Sequence, residues 1–373
     1  MRLLLSAVPA FGHVLPLVPL ARAACAAGHQ VALLTSAGLA DAVAHELPGV
    51  ELLPAGPMPD ALFAEVARRT GADALTGQDP AAVAEFFAGA RVDLTADEAL
   101  ESAAEWKPDV VVAEAGDFVG PLVAASLGIP WHVLAFGPAV PEEFTAPMFA
   151  VVGPRYASRG IVPTAPQSYL DPCPQSLQVP GWQAPVAHAP IRPEAHRQAE
   201  PLWVPPVFVG ADYRVRVLVT LGTVFTRPDL LQAIIASLDL RSVSVVATLG
   251  VVPGGAEPVD TADVRYVSFV PMAELLPHAD IVISAGGAGT VLAALEHKRP
   301  MVLIPQGADQ PINAARAAAV GAAIVVADPA DVGAAVQRII MERSFGDASV
   351  RVADEIAAMP DAAHVVAGLI PVG

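Results

Sequence analysis

Residues 279–290 run Ala279-Asp280-Ile281-Val282-Ile283-Ser284-Ala285-Gly286-Gly287-Ala288-Gly289-Thr290. A short apolar run passes into three glycines and a threonine, and from residue 288 to 297 apolar residues recur at helical spacing. An apolar run bounded by glycine reads as a strand buried on both faces, and a strand feeding a helix through such a turn is the repeating unit of a parallel sheet. The same grammar opens the chain: a strand over 2–8, a loop over 9–13, a helix over 14–27 closed by Gly28, and a second strand over 30–35. It returns as a strand over 109–113, a helix over 118–127 ended by Gly128, and a strand over 130–135, with a less readable helical region over 61–106 before it. The second half repeats it with strands over 215–221, 242–247, 281–284 and 301–304, and helices over 228–238, 288–297 and 312–320.

A chain of 373 residues is too long for one ordinary domain of roughly 100–200 residues, so two are expected. Proline is dense over 136–212, with Pro201, Pro205 and Pro206 near the end, and proline density disfavours regular structure. The expected division is a first domain over 1–200, a linker over 201–214, a second domain over 215–345, and C-terminal helices over 346–373 that are free to return to the first domain. The predicted fold class is α/β, two Rossmann-like domains whose parallel sheets face a cleft between them. In such sheets ligands bind at the carboxyl ends of the strands.

Hydrophobic residue types make up 54% of the chain and charged types 16%, which excludes a mainly disordered protein. Asp+Glu number 38 against 21 Lys+Arg, a net charge of −17 that disfavours nucleic acid or an anionic membrane surface as partner. It does not exclude a nucleotide, because backbone N–H groups at a helix start bind phosphate without lysines. Cys25 and Cys173 are the only cysteines, too few for a disulfide or zinc framework, which points to a reducing cytoplasm. The apolar start is broken by Pro9, Gly12 and His13 and reads as a first core strand rather than a signal peptide. No apolar run reaches the ~18 residues of a membrane span.

Two places carry candidate chemistry. In the loop Gly286-Gly287-Ala288-Gly289-Thr290 the glycines let backbone approach an anion, the helix start supplies N–H groups, and Thr290 adds a hydroxyl; the plain alternative is a tight packing turn. In Phe11-Gly12-His13-Val14-Leu15-Pro16, His13 sits between first strand and first helix, either as a general base facing a ligand or as a histidine bonded to backbone. Such a base needs a carboxylate on its other ring nitrogen, and Glu114 and Asp117 close the strand over 109–113. Asp117 also reads as the N-cap of the helix that follows. The single Gly12 after the first strand argues against a dinucleotide-binding dehydrogenase, which needs Gly-x-Gly-x-x-Gly there.

The motifs of the second half occur in a telling order: Val267-Ser268-Phe269-Val270-Pro271, Leu275-Leu276-Pro277-His278-Ala279-Asp280, the glycine loop, then Pro300-Met301-Val302-Leu303-Ile304-Pro305-Gln306-Gly307-Ala308-Asp309-Gln310-Pro311-Ile312-Asn313-Ala314. This order resembles the nucleotide-sugar-binding segment of family 1 glycosyltransferases with the two-domain GT-B fold, and in particular the actinobacterial enzymes that glycosylate natural products. The resemblance implies an inverting, metal-independent transferase with no cofactor beyond its nucleotide-sugar co-substrate. It implies that Phe269 and Val270 hold the nucleobase, that Gly286, Gly287, Ala288, Gly289, Thr290, Gly222 and Thr223 hold the diphosphate, and that Asp309 and Gln310 bind sugar hydroxyls. A helix-capping role for Asp309 stays open. The family usually places a histidine where this chain has Ala285, and Ser284 is the neighbouring candidate to compensate. Phe11-Gly12-His13 resembles the family's opening motif, whose histidine is the catalytic base, and Glu114 matches its carboxylate partner.

The family likeness points to a dTDP-linked deoxysugar donor, with which Ala293 agrees, standing where related plant enzymes place a glutamate on the ribose. The acceptor is then a hydrophobic, polyketide-like aglycone held by residues such as Phe11, Phe63, Phe86, Phe87, Phe136 and Phe144. His132 is expected to pack or to line that cavity. A homodimer is compatible with all of this. Two other readings remain: a silent nucleotide-sugar-binding partner protein, for which Ala285 speaks, and another enzyme on the same fold, such as a sugar epimerase or a C-glycosyltransferase.

Overall fold

A computed structural model describes residues 1–72, 74, 79–198, 203–208, 214–222, 227–250 and 259–369. The chain divides into two compact units, one of Met1–Cys173, Pro180–Arg192 and Met359–Gly373, the other of Pro174–Val179 and Pro193–Ala358.

The first unit holds seven strands, β1 (Arg2–Ser6), β2 (Gln30–Thr35), β3 (Glu51–Pro54), β4 (Val110–Glu114), β5 (Trp131–Leu134), β6 (Ser168–Asp171) and β7 (Ala187–Pro190). They lie in the order β3-β2-β1-β4-β5-β6-β7, every pair parallel. Leu3, Leu4 and Leu5 are all fully buried because both faces of β1 are covered. The pleat sends Leu3 and Leu5 to one core, with Leu20, Ala21 and Ala24 of the helix Val18–Ala26. It sends Leu4 to the other, with Val92, Ala96, Ala99, Leu122 and Val123 of the helices Arg91–Trp106 and Val119–Leu127. The second unit holds β8 (Val215–Thr220), β9 (Val243–Thr248), β10 (Val264–Val267), β11 (Ile281–Ser284), β12 (Met301–Leu303) and β13 (Ala323–Val325), all parallel, in the order β10-β9-β8-β11-β12-β13. Both sheets reverse their strand order between two central neighbours, β1 and β4 in one, β8 and β11 in the other. The carboxyl ends at such a reversal are where doubly wound sheets bind ligands.

Several expectations are corrected. Strands β3, β6, β7, β10 and β13 were not foreseen; each is short, and β7 lies at the sheet edge with Pro190 in it, where a missing N–H costs no ladder bond. The proline-dense stretch contains the 17-residue helix Glu142–Ser158 with Pro147 and Pro154 inside it. An interior proline costs about 3 kcal/mol. Here Met148, Val152 and Tyr156, four apart, bury one face in the core below β1, and Arg155 pairs with Glu85 and Asp93. The division of the chain also differs from 1–200 and 346–373. Residues 193–198 join the second unit, where Ala195 N–H donates to Glu296 and the His196 carbonyl accepts from Ala273. The helix Ser344–Ala358 belongs there too, whereas Ala362, Val365, Val366 and Leu369 join the first core. Residues 203–208 of the expected linker carry no regular secondary structure. Among the described residues, no helix is long and apolar enough to cross a membrane.

His132 is buried, its Nδ1 2.7 Å from Ser168 Oγ and its Nε2 2.9 Å from the Leu369 carbonyl, so it fastens β5 to β6 and to the C-terminal segment. Gly120 lets the helix Val119–Leu127 lie directly on the sheet, since a Cβ there would stand 2.8 Å from the Cβ atoms of both Ala113 and Ser6. Gly120→Ala gains about 1 kcal/mol of helix propensity but overpacks against two strands that cannot give, a cost of about 1–3 kcal/mol. Urea denaturation should therefore show a net loss of stability. The control Gly346→Ala, also in a helix but with open space at its Cβ, should be neutral or stabilising.

Candidate functional site

In the first unit the chain leaves β1 at Ser6 and winds at once into a short helical turn, Phe11–Val14, so His13 lies in a turn of helix rather than in the loop expected over 9–13. Its Nδ1 stands 3.0 Å from Glu114 Oε1, at the end of β4. The same carboxylate accepts the Val8 N–H at 3.1 Å and the Gly116 N–H at 2.5 Å. The glutamate side chain is fully buried, while that of His13 is 22% exposed. A carboxylate held by two backbone N–H groups can accept the Nδ1 proton of the imidazole, the orientation in which Nε2 is the basic nitrogen.

Asp117 takes another task. Its Oδ2 accepts from the Ser6 hydroxyl at 2.5 Å and from the Gly120 N–H at 2.8 Å, in the first turn of Val119–Leu127, and its Oδ1 is 3.6 Å from Arg91. The carboxylate on His13 is Glu114, and the helix-start reading describes Asp117.

Aromatic rings flank the histidine. Phe136 meets His13 edge-on at 5.0 Å between centroids, and Phe87 at 5.6 Å. Phe86 abuts Phe87 at 4.9 Å and stacks on Phe63 at 4.5 Å, in a small core with Val8, Leu62 and Val66. Phe144 packs on the core below β1, and Phe11 is half-buried. Of the six phenylalanines singled out, Phe87 and Phe136 touch the histidine, while Phe63 and Phe86 support them from behind. Phe86 and Phe87 sit in a π-helical turn, Glu85–Ala90, a form that recurs at functional sites. Glu85 folds back over Gly89, where a Cβ would lie 2.3 Å from its carboxyl carbon, and pairs with Arg69 and Arg155.

In the second unit β11 runs into Ala285–Gly287, and the helix Ala288–Glu296 follows. Ser284 is buried and its Oγ accepts the Gly286 N–H at 3.0 Å. The hydroxyl thus closes the loop, and Ala285, where the family's histidine is missing, is itself buried. Gly286 has φ +88, and its carbonyl accepts from Asn313 Nδ2 at 3.0 Å. In a trans peptide the carbonyl and the next N–H point opposite ways, so this bond turns the Gly287 N–H away from Asn313. The amides of Ala288, Gly289 and Thr290 lack acceptors within the helix, and Gly287 and Gly289 have open space at their Cβ positions. Together they form a helix start whose amides can receive an anion. Gly222, with φ +85, follows the neighbouring strand β8, and Thr223 lies outside the described residues.

Asn313 Nδ2 also donates to Asp309 Oδ2 at 2.8 Å. Asp309 precedes the helix Gln310–Ala319 but its side chain makes no capping bond to it, so the capping reading fails. Gln310 is buried, and its Oε1 accepts the N–H groups of Gln306 at 2.7 Å and Gly307 at 3.2 Å. That oxygen is built into the turn rather than offered to sugar hydroxyls. Phe269 and Val270 are half-buried just after β10, with Phe269 6.2 Å from the His196 ring. Asn313 was not singled out from the sequence. Its signal was its place one helical turn after Asp309, which puts both side chains on one face.

Comparison with known proteins places the whole chain among relatives. Residues 22–222 match the N-terminal domain of the Erythromycin biosynthesis protein CIII-like family, and residues 232–372 its C-terminal domain. The L-demethylnoviosyl transferase of Streptomyces niveus is 32% identical over 99% of this chain and 97% of its own. Elloramycin glycosyltransferase ElmGT of Streptomyces olivaceus is 30% identical, with 99% and 97% covered. Among solved structures, the Streptomyces sp. SF2575 glycosyltransferase SsfS6 complexed with thymidine diphosphate superimposes with a TM-score of 0.82 at 30% identity, covering 98% of each chain.

Asn313→Ala would leave the buried Gly286 carbonyl without its donor, and unfolding measurements should show a loss of about 1–3 kcal/mol. Asn313→Asp should be no better, because a carboxylate cannot donate to Gly286 and would repel Asp309.

Proposed function

The chain belongs to the Erythromycin biosynthesis protein CIII-like family of GT-B glycosyltransferases, and on that premise we propose that it moves a deoxysugar from a dTDP-linked donor to a hydroxyl of a hydrophobic natural product, with inversion. The observation that carries the mechanism is the His13–Glu114 bond of 3.0 Å beside the rings of Phe87 and Phe136. His13 Nε2 takes the acceptor hydroxyl proton while the oxygen attacks the anomeric carbon; the bond from that carbon to the phosphate oxygen breaks, and dTDP leaves. Glu114 stabilises the imidazolium that forms. A positioned base is worth about 10²–10⁴ in rate. The amides of Gly287–Thr290 receive the charge that develops on the diphosphate, and fixed donors of this kind contribute as much or more.

The deoxysugar and dTDP assignments draw on the relatives, one of which transfers L-demethylnoviose by name and another of which holds thymidine diphosphate. Ala285 removes a donor that the family usually supplies, a loss of roughly 1.5–3 kcal/mol for a bond to a charged group. That weakens the donor site without abolishing it, since four amides and the helix dipole remain.

Calorimetric titration with dTDP and UDP, followed by product assay with a dTDP-deoxysugar, tests the assignment. The wild type should bind dTDP more tightly than UDP. His13→Ala should lower kcat by about 10²–10⁴ and leave dTDP affinity unchanged. Binding of neither nucleotide would overturn the donor site; dTDP binding without product from either wild type or Ala285→His would favour the silent-partner reading; and full activity in His13→Ala would overturn the base. An acid-stable sugar–carbon bond in the product would replace O-transfer with C-transfer.

A further inference from the structure

Arg91 opens the helix Arg91–Trp106, one residue beyond the π-helical turn, and it is completely buried. It is the one buried Lys or Arg side chain among the described residues. Its Nη2 donates to the Ala7 carbonyl at 3.0 Å and lies 3.6 Å from Asp117 Oδ1. Its Nη1 donates to Thr95 Oγ1 at 3.1 Å and to the Ala55 carbonyl at 3.4 Å. Nothing in the chemistry above uses this charge, and a lone guanidinium is costly to bury.

Its surroundings explain why it is there. Three consecutive residues leaving β1 are tied by three different groups. The Ser6 hydroxyl donates to Asp117, the Ala7 carbonyl accepts from Arg91, and the Val8 N–H donates to Glu114. The chain then turns into the helical turn that carries His13. Glu114 and Asp117, three residues apart at the exit of β4, are both buried carboxylates, and Arg91 is the buried cation that faces them. Burial pushes Asp117 up and Arg91 down, while each favours the charged form of the other. The remaining groups nearby are accounted for. Tyr156, on the helix Glu142–Ser158, donates to the Phe118 carbonyl. Asp93, on the helix of Arg91, pairs with Arg69 and Arg155, which also hold Glu85.

We propose that Arg91 is a positioning residue for His13: it fixes the exit of β1 through Ala7, and its charge, opposed by that of Asp117, acts on the imidazole of His13. The consequence for activity rests on His13 being the base; the consequence for titration does not.

The test reads charge separately from structure. A cation near a titrating imidazole lowers its affinity for protons, and an anion raises it. Arg91→Met should therefore raise the midpoint of His13 protonation, followed by NMR of the imidazole and assigned against His13→Ala, by about one pH unit. Asp117→Asn should lower it, and the neutral pair Arg91→Met/Asp117→Asn should lie between the two. The acid limb of kcat/KM should move in the same order, and Arg91→Lys should restore part of the wild-type midpoint. Should Arg91→Met alone fail to fold, the comparison of Asp117→Asn with the double variant carries the same sign. Shifts in one direction for both single changes, or no shift in folded protein, would overturn the role of Arg91. Ordered NMR shifts with full activity in His13→Ala would leave that role standing and overturn the base.

Discussion

The parallel pairing of β1 with β4 sets Ser6 beside Ala113, and from that register the exits of the two strands run into one space. Every feature of the histidine site depends on it. Glu114 and His13 are separated by 101 positions in the chain, yet their side chains meet because one ends β4 and the other lies in the helical turn that follows β1. A slip of one residue in β4 would turn Glu114 to the other face of the sheet, and no movement of the loop would recover the bond.

The same exits concentrate buried charge. Two carboxylates and a guanidinium sit where water is excluded, an arrangement that costs several kcal/mol per ion unless each finds donors or acceptors. Here backbone supplies most of them: the amides of Val8, Gly116 and Gly120, and the carbonyls of Ala7 and Ala55. The local backbone is therefore held by the ions as much as the ions are held by it. An imidazole hung from such a frame needs no large reorganisation to act, which is the physical content of a preorganised base.

The second unit solves a related problem by other means. Its loop after β11 leaves amides unsatisfied at the start of a helix, and it must hold them in place without a ligand. Ser284 and Asn313 do so from within, one taking the Gly286 N–H and the other its carbonyl, while Gln310 braces the turn at 306–307. Side chains that would be read as ligand contacts are in part the scaffold that aims the backbone.

The sequence alone determined the α/β class, the two-domain plan, the glycine loop at a helix start, and His13 with Glu114 and Asp117 as candidate partners, because these rest on local signals: apolar runs, glycine turns, and residue types next to strand ends; only the family resemblance singled out Glu114. Five short strands escaped it, as did the helix Glu142–Ser158, where the burial of Met148, Val152 and Tyr156 outweighs two prolines. Ser284 and Gln310 were legible as polar residues at strand ends, but not as braces of their own turns. Asp117 and Arg91 were decided only by the tertiary structure. Their partners come from β1, from the chain after β3 and from the helix Val119–Leu127. Burial by distant segments is what turns an ordinary surface residue type into a fixed charge, and no window of sequence contains it.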